Sequence, residues 1–336
     1  MSKNPQQTAY MYASSRVRAL ENGIVGKDRI EQLLGAASMD EVYARLSEFG
    51  VEIVKDADGG VLEEQTLQGI LTRALDDLTE SAPAPELFDF LRYPYDCHNI
   101  KAAIKSYLRG LSPNGMLSPL GTILPEKVAK MPVEDDYAAL PEAMAQGAPL
   151  AMQAYAKTAN PRQIDLILDK ACYADMLSCA KKSGEPFHLQ MVQAKIDLTN
   201  TMICLRLARM KAGEQGELLL DRALLDGGIL EKNVLMQAYP EGEDALIYCL
   251  RGTVYEKFAA ALRESDGMAA TAERLVDDYL MELVRTVKYT TFGAPVLSAY
   301  FYAQEYAVRN IRIVLAAKRA GLAAETIRER IRTSYV

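Results

Sequence analysis

One phrase recurs three times along the chain. It reads YDCHNIKAAIKSYLRG at 95–110, KIDLTNTMICLRLARMKAG at 195–213 and EYAVRNIRIVLAAKRAG at 305–321. Each copy holds an Asn (Asn99, Asn200, Asn310) and closes on a Gly (Gly110, Gly213, Gly321). A Pro stands 14, 14 and 15 residues ahead of the Asn, at Pro85, Pro186 and Pro295. A repeat of this kind means copies of one structural unit, and it constrains geometry before chemistry.

The phrase has the period of an amphipathic helix. Apolar or small residues fall one, four and five places after each Asn: Ile100, Ala103 and Ile104; Thr201, Cys204 and Leu205; Ile311, Val314 and Leu315. That spacing draws one stripe along a helical face. Basic residues take another face, at Lys101 and Lys105, Arg206 and Arg209, Arg309 and Arg312. The closing Gly suits the left-handed position that ends a helix. The upstream Pro suits a first turn, where its missing N–H costs nothing. An Asn in a helix interior has poor propensity and needs a reason. The reason expected here is bracing, a side-chain hydrogen bond from the helix to a neighbouring loop. Asp96 and Asp197 lie one turn earlier on the same face, where a local Asp–Asn network is open to them. The third copy has Ala307 there, so a catalytic role shared by all three copies is excluded.

The rest of the chain is also helical in pattern. Helices are expected from Arg16 to Asn22, from Lys27 to Leu34 and after Ser38, which reads as an N-cap with Glu41 three residues on and Gly50 as the stop. Residues 51–65 read as a small hairpin turning at Asp58–Gly60. Further helices are expected over 62–78, 134–145, 148–158, 161–181, 186–212, 244–265 and 272–289, after Pro295, and at the closing ETIRERIRTSY. The stretches after Gly121 (ILPEKVAKMP) and Gly228 (ILEKNVLMQA) resemble each other. They set expected module boundaries at 1–121, 122–228 and 229–336. The fold class is all-α. Three such bundles can close into a ring of pseudo-threefold symmetry, with a central socket.

Composition narrows the function. The chain has 336 residues, 49% of them hydrophobic and 25% charged, which is ordinary for a folded protein outside the first few residues. A net charge of −7 disfavours general nucleic-acid binding, and the lack of Trp leaves few stacking platforms. Five cysteines (Cys97, Cys172, Cys179, Cys204, Cys249) without a CxxC pair read as reduced thiols. The amino terminus has no apolar core of a signal peptide. The longest uncharged stretch, Tyr289 to Gln304, is too short and polar to span a bilayer.

Catalytic patterns fail one by one. ENGIVGKDR at 21–29 has Glu21 where a phosphate loop needs Gly, and Asp28 where it needs Ser or Thr. No GxGxxG or GxSxG occurs. His98 and His188 lack helical partners for a metal. The acidic groups at Glu134–Asp136 and Glu241–Asp244 lack calcium-loop spacing and read as solvated turns. No catalytic, cofactor or metal residue is assigned. The recurring basic faces remain, and Lys101, Lys105, Arg206, Arg209, Arg309 and Arg312 are the candidate partner contacts.

At these residues the chain resembles the C subunits of the bacterial and archaeal V-type (A-type) rotary ATPases (ATP synthases), relatives of the eukaryotic V-ATPase d subunit. The matching pieces are YMYASSRVRALENGI, YPYDCHNIKAAIKSYLRG, GTIL at 121–124, IDLTNTMICLRLARMKAG and QEYAVRNIRIVLAAKRAG, in order along nearly the whole chain. The resemblance implies a funnel of three helical units with no active site. It implies a central-stalk rotor part on the cytoplasmic face of the membrane, one copy per hetero-oligomer. Its partners would be the central shaft subunits and the membrane rotor ring, and it would pass torque between them during ATP-coupled H⁺ or Na⁺ transport. The competing reading is an all-helical scaffold outside any motor.

Overall fold

The computed structural model describes residues 9–265 and 267–336; the first few residues, expected to lack order, fall outside that range. The chain divides into two compact units. One combines Met1–Pro85 with Ser265–Val336, and the other is Glu86–Glu264.

The first unit opens with α1 (Met11–Leu20), α2 (Lys27–Gly35), α3 (Met39–Glu48) and α4 (Glu63–Ser81). Ser38 caps α3, its hydroxyl accepting from Glu41 N at 3.2 Å, while the Glu41 carboxylate accepts from Ala37 N at 2.7 Å. Both bonds satisfy amides that a helix start leaves open. The expected hairpin shrinks to one isolated bridge, Lys55 to Val61. The Asp56 carboxylate takes the amides of Asp58 and Gly60 there, so the turn closes on a side chain and no ladder follows. Among the described residues there is no β-strand.

The second unit holds α5 (Tyr93–Leu108), α6 (Pro125–Glu134), α7 (Glu142–Thr158), α8 (Arg162–Lys182), α9 (Pro186–Arg209), α10 (Gly213–Ala223), α11 (Lys232–Ala238), α12 (Glu243–Tyr248) and α13 (Glu256–Glu264). Its centre is α9, packed against α8, α10, α11 and α12, with α8 also against α5 and α7. The chain then returns to the first unit as α14 (Ala269–Thr286), α15 (Ala294–Arg319) and α16 (Ala324–Arg328). There α15 is the core, buried on every face over residues 296–304 and packed by α1 to α4, α14 and α16. A helical stretch buried on every face is stable only when enclosed, and the second half of α15 keeps a basic face outward at Arg309 and Arg312.

Four expected helices differ. The one over 134–145 is instead a junction: Asp135 turns left-handed (φ 53°) and ends α6, and Pro141 precedes α7. The one over 244–265 breaks at Gly252 (φ +70°) into α12 and α13. Pro85 starts a 3₁₀ stretch, Pro85–Leu91, and α5 begins at Tyr93 with Pro94 in its first turn. The closing helix stops at Arg328; the amides of Glu329, Arg330 and Ile331 still bond backbone carbonyls, and those of Arg332 and Thr333 are claimed by side chains described below.

Candidate functional site

The three repeated phrases form α5, α9 and the second half of α15, and in each the Asn is buried and holds a loop that follows its helix. Asn99 Nδ2 donates to the Ser118 carbonyl at 2.8 Å, and Ser118 N donates back to Asn99 Oδ1 at 2.7 Å. Asn200 holds Leu225 the same way, at 3.0 and 2.7 Å. Asn310 holds Arg332, at 3.0 and 2.9 Å. Each Asn amide thus pairs with both backbone groups of one residue, 19, 25 and 22 positions downstream. A carboxamide carries a donor and an acceptor side by side, so it can mimic the edge of a strand.

Asp96 and Asp197 reach the same loops rather than the Asn. Asp96 accepts from Thr122 N at 3.0 Å, Thr122 Oγ1 at 2.6 Å and Ile123 N at 3.3 Å. Asp197 accepts from Ile229 N at 2.8 Å, Leu230 N at 3.2 Å and the Tyr255 hydroxyl at 2.7 Å. Burial pushes both carboxyls above the usual range, and these donors pull the other way. A Cβ on Gly121 or Gly228 would overlap the carboxylate of Asp96 or Asp197, so these turns require glycine. Both glycines stand three places after the clasped residue. In the third copy that place is Tyr335, buried and bonded to Arg18 and Glu21, and the Asp position is Ala307. The carboxylates there come from α14. Asp278 accepts from Thr333 N at 2.6 Å, and Asp277 pairs with Arg309 and Arg332.

The helix stops keep register with the Asn. Gly110 (φ +67°) and Gly321 (φ +70°) each stand eleven residues after it. In the second copy that place is Lys211, left-handed at φ 53°, and α9 ends at Arg209. Gly213 (φ +52°) lies two residues further on and opens α10, so the closing residue of the second phrase is Lys211 and not Gly213.

Lys101, Lys105, Arg209, Arg309 and Arg312 are ion-paired to carboxylates of their own unit. Lys101 and Lys105 on α5 pair with Asp169 and Asp165 on α8, each at 2.5 Å. Arg209 meets Glu243 at the start of α12 through Nε at 3.1 Å. Arg309 pairs with Asp277, and Arg312 with Glu64 at 2.8 Å. Arg206 is exposed on α9. The faces are therefore basic in sequence and largely neutral in the fold. The missed signal was a matched spacing: Lys101 and Lys105, and Asp165 and Asp169, each step by four along their helices.

The two histidines are structural in setting. His98 Nε2 lies 2.9 Å from the Met116 carbonyl. His188 is buried against Phe88 and Phe90, with Nδ1 at 3.1 Å from Ser183 Oγ. Among the described residues no group of three or more His, Cys, Asp or Glu gathers as metal ligands, and no helix is long and apolar enough to cross a membrane. The arrangement can hold shape and present charge pairs.

The chain is similar along nearly its whole length to known proteins. The chain is 23% identical to the C subunit of the V-type sodium ATPase of Enterococcus hirae, over 95% of this chain and 97% of the relative. It is 24% identical to the C subunit of the A-type ATP synthase of Methanosarcina mazei, over 98% and 94%. It is 22% identical to the corresponding A-type ATP synthase C subunit of Pyrococcus abyssi, over 96% and 90%. The family model described as ATP synthase (C/AC39) subunit matches residues 13–330. With that match running from α1 to beyond α16, the chain belongs to the ATP synthase (C/AC39) subunit family.

Proposed function

We propose that the chain is the non-catalytic rotor subunit of a V-type or A-type ATPase. In this reading it seats the foot of the central shaft on the membrane rotor ring, from the cytoplasmic side, and passes torque between them during H⁺ or Na⁺ transport. The observation that carries the reading is the family match over residues 13–330, joined to full-length relatives named as the C subunits of such machines.

The three clasps support a division into modules 1–121, 122–228 and 229–336, since each Asn and its held residue fall within one of these spans. In the proposed assembly the modules stand about a pseudo-threefold axis as a funnel. A part that transmits torque must not yield. Dense helical packing resists compression, and a bidentate side-chain clasp ties each long helix to the chain beyond it. Arg206 and the exposed Arg312–Glu64 pair would meet partners as polar contacts, with Lys101, Lys105, Arg209 and Arg309 contributing as paired charges.

Purification of the tagged full-length chain from its own cells tests the reading. Shaft subunits and a membrane ring should accompany it, and a density map of that complex should place the shaft's end within the funnel. Recovery without either partner would overturn it, as would ATP hydrolysis by the isolated chain.

A further inference from the structure

The second unit contains a sulfur cluster that plays no part in the rotor reading. Cys97 on α5 and Cys172 on α8 face each other. Cys97 Sγ donates to the Leu168 carbonyl at 3.4 Å, and Cys172 Sγ donates to the Tyr93 carbonyl at 3.5 Å. Each acceptor lies one turn ahead of the opposite cysteine, so the thiols are brought together where α5 and α8 pack. Met176, one turn beyond Cys172, brings its Sδ to 3.9 Å from Cys172 Sγ. Cys97, Cys172 and Met176 are 4%, 4% and 2% exposed.

We propose that Cys97, Cys172 and Met176 form a binding site for a soft monovalent cation of the Cu(I) type. Thiolate and thioether donors select soft ions over zinc, magnesium or calcium. A metal–sulfur bond of about 2.3 Å puts three donors around one ion at the corners of a triangle about 4 Å on a side. The Cys172–Met176 separation of 3.9 Å fits one edge of that triangle. Charge also fits. A monovalent ion that displaces one thiol proton leaves one thiolate, one thiol and one thioether around it, a neutral group suited to a buried position. The charged groups facing the cluster, Lys101 and Asp169, are already paired at 2.5 Å and cancel. Binding releases one proton and moves no electron, so it needs no oxidant or reductant.

The experiment uses the full-length chain, reduced and kept under nitrogen. Cu(I) is supplied as its acetonitrile complex and challenged with a chromophoric Cu(I) chelator. The wild type should retain tightly bound Cu(I), with a thiolate-to-metal absorption band. Cys97→Ala should lose that retained ion. Met176→Leu, which conserves volume, should hold it at least tenfold less tightly. Cys179→Ala removes a thiol directed at the Glu86 and Leu87 carbonyls and should change nothing. Equal retention by wild type and Cys97→Ala overturns the proposal, as does failure of the wild type to retain any. Should Cys97→Ala not fold, Met176→Leu decides: a tenfold loss supports the site and an unchanged affinity overturns it.

Discussion

At the scale of single residues, the chain contains its own control experiment. Where an Asp carboxylate enters the turn after the clasp, a Gly admits it; where Ala307 stands instead, Tyr335 takes the Gly position. Gly228→Ala should therefore cost about 1–3 kcal/mol, since its Cβ would overlap the Asp197 carboxylate. Combined with Asp197→Ala, it should cost at least about 1 kcal/mol less than the sum of the two alone, in a urea-unfolding double-mutant cycle. Lys211 occupies a left-handed position without being glycine. Lys211→Gly should raise the urea midpoint by the equivalent of about 0.5–1 kcal/mol. Asp89 gives a pH test. Burial pushes its carboxyl up to about 6, with Arg92 at 4.0 Å offsetting only part. The folded chain then binds this proton more readily than the unfolded one, so its contribution to stability falls as pH rises from about 4 to 6 and is lowest above that. Asp89→Asn should leave stability unchanged near pH 3.5 and raise it by roughly 1–2 kcal/mol at pH 7 in thermal melts. The sequence displayed the buried Asn through its poor fit to a helix interior. It hid the clasped partners, since spans of 19, 25 and 22 residues share no spacing. It also misplaced the second stop, because residue identity pointed to Gly213 where the backbone count points to Lys211.

At the scale of elements, periodicity marks where helices lie more readily than where they end. The long apolar stripes of α9 and α15 were legible because their burial repeats every turn. The break between α12 and α13 was not, because Tyr255 must leave the helix to reach Asp197 from 58 residues away. The tail after α16 reads as helix for a similar reason. Residues 329–332 carry good helix formers, but Asn310 and Asp278 take the amides of Arg332 and Thr333. A tail held by side chains can be released by one substitution. Asn310→Ala should increase the hydrogen-exchange rate of the Arg332 amide at least tenfold, by about 1.4 kcal/mol or more of lost local protection, while amides in the middle of α15 keep theirs. Equal exchange in both proteins would show that the clasp does not hold the tail.

At the scale of the whole molecule, the repeated phrase and its family resemblance were readable in advance, and the state of the charges was not. Recurring cations suggested an open basic surface, but the fold answers Lys101, Lys105, Arg209, Arg309 and Arg312 with its own carboxylates. Charge reversal should consequently separate two classes. Arg206→Glu with Arg312→Glu should change stability by less than about 1 kcal/mol, since exposed pairs contribute little, and should weaken recovery of the rotary complex at least tenfold in pull-down assays. Lys101→Glu with Lys105→Glu should instead lower the melting temperature of the isolated chain, because each new carboxylate would face Asp169 or Asp165. The spacing of the clasps has a practical consequence as well. From Asn to helix stop the count is fixed, whereas from stop to held residue it varies freely among the copies, and lengthening a loop costs little entropy. A foreign sequence such as an epitope or a dye-labelling tag, spliced in near Ser112–Gly115, would therefore ride on the protein as a reporter without disturbing the helix before it or the turn after it.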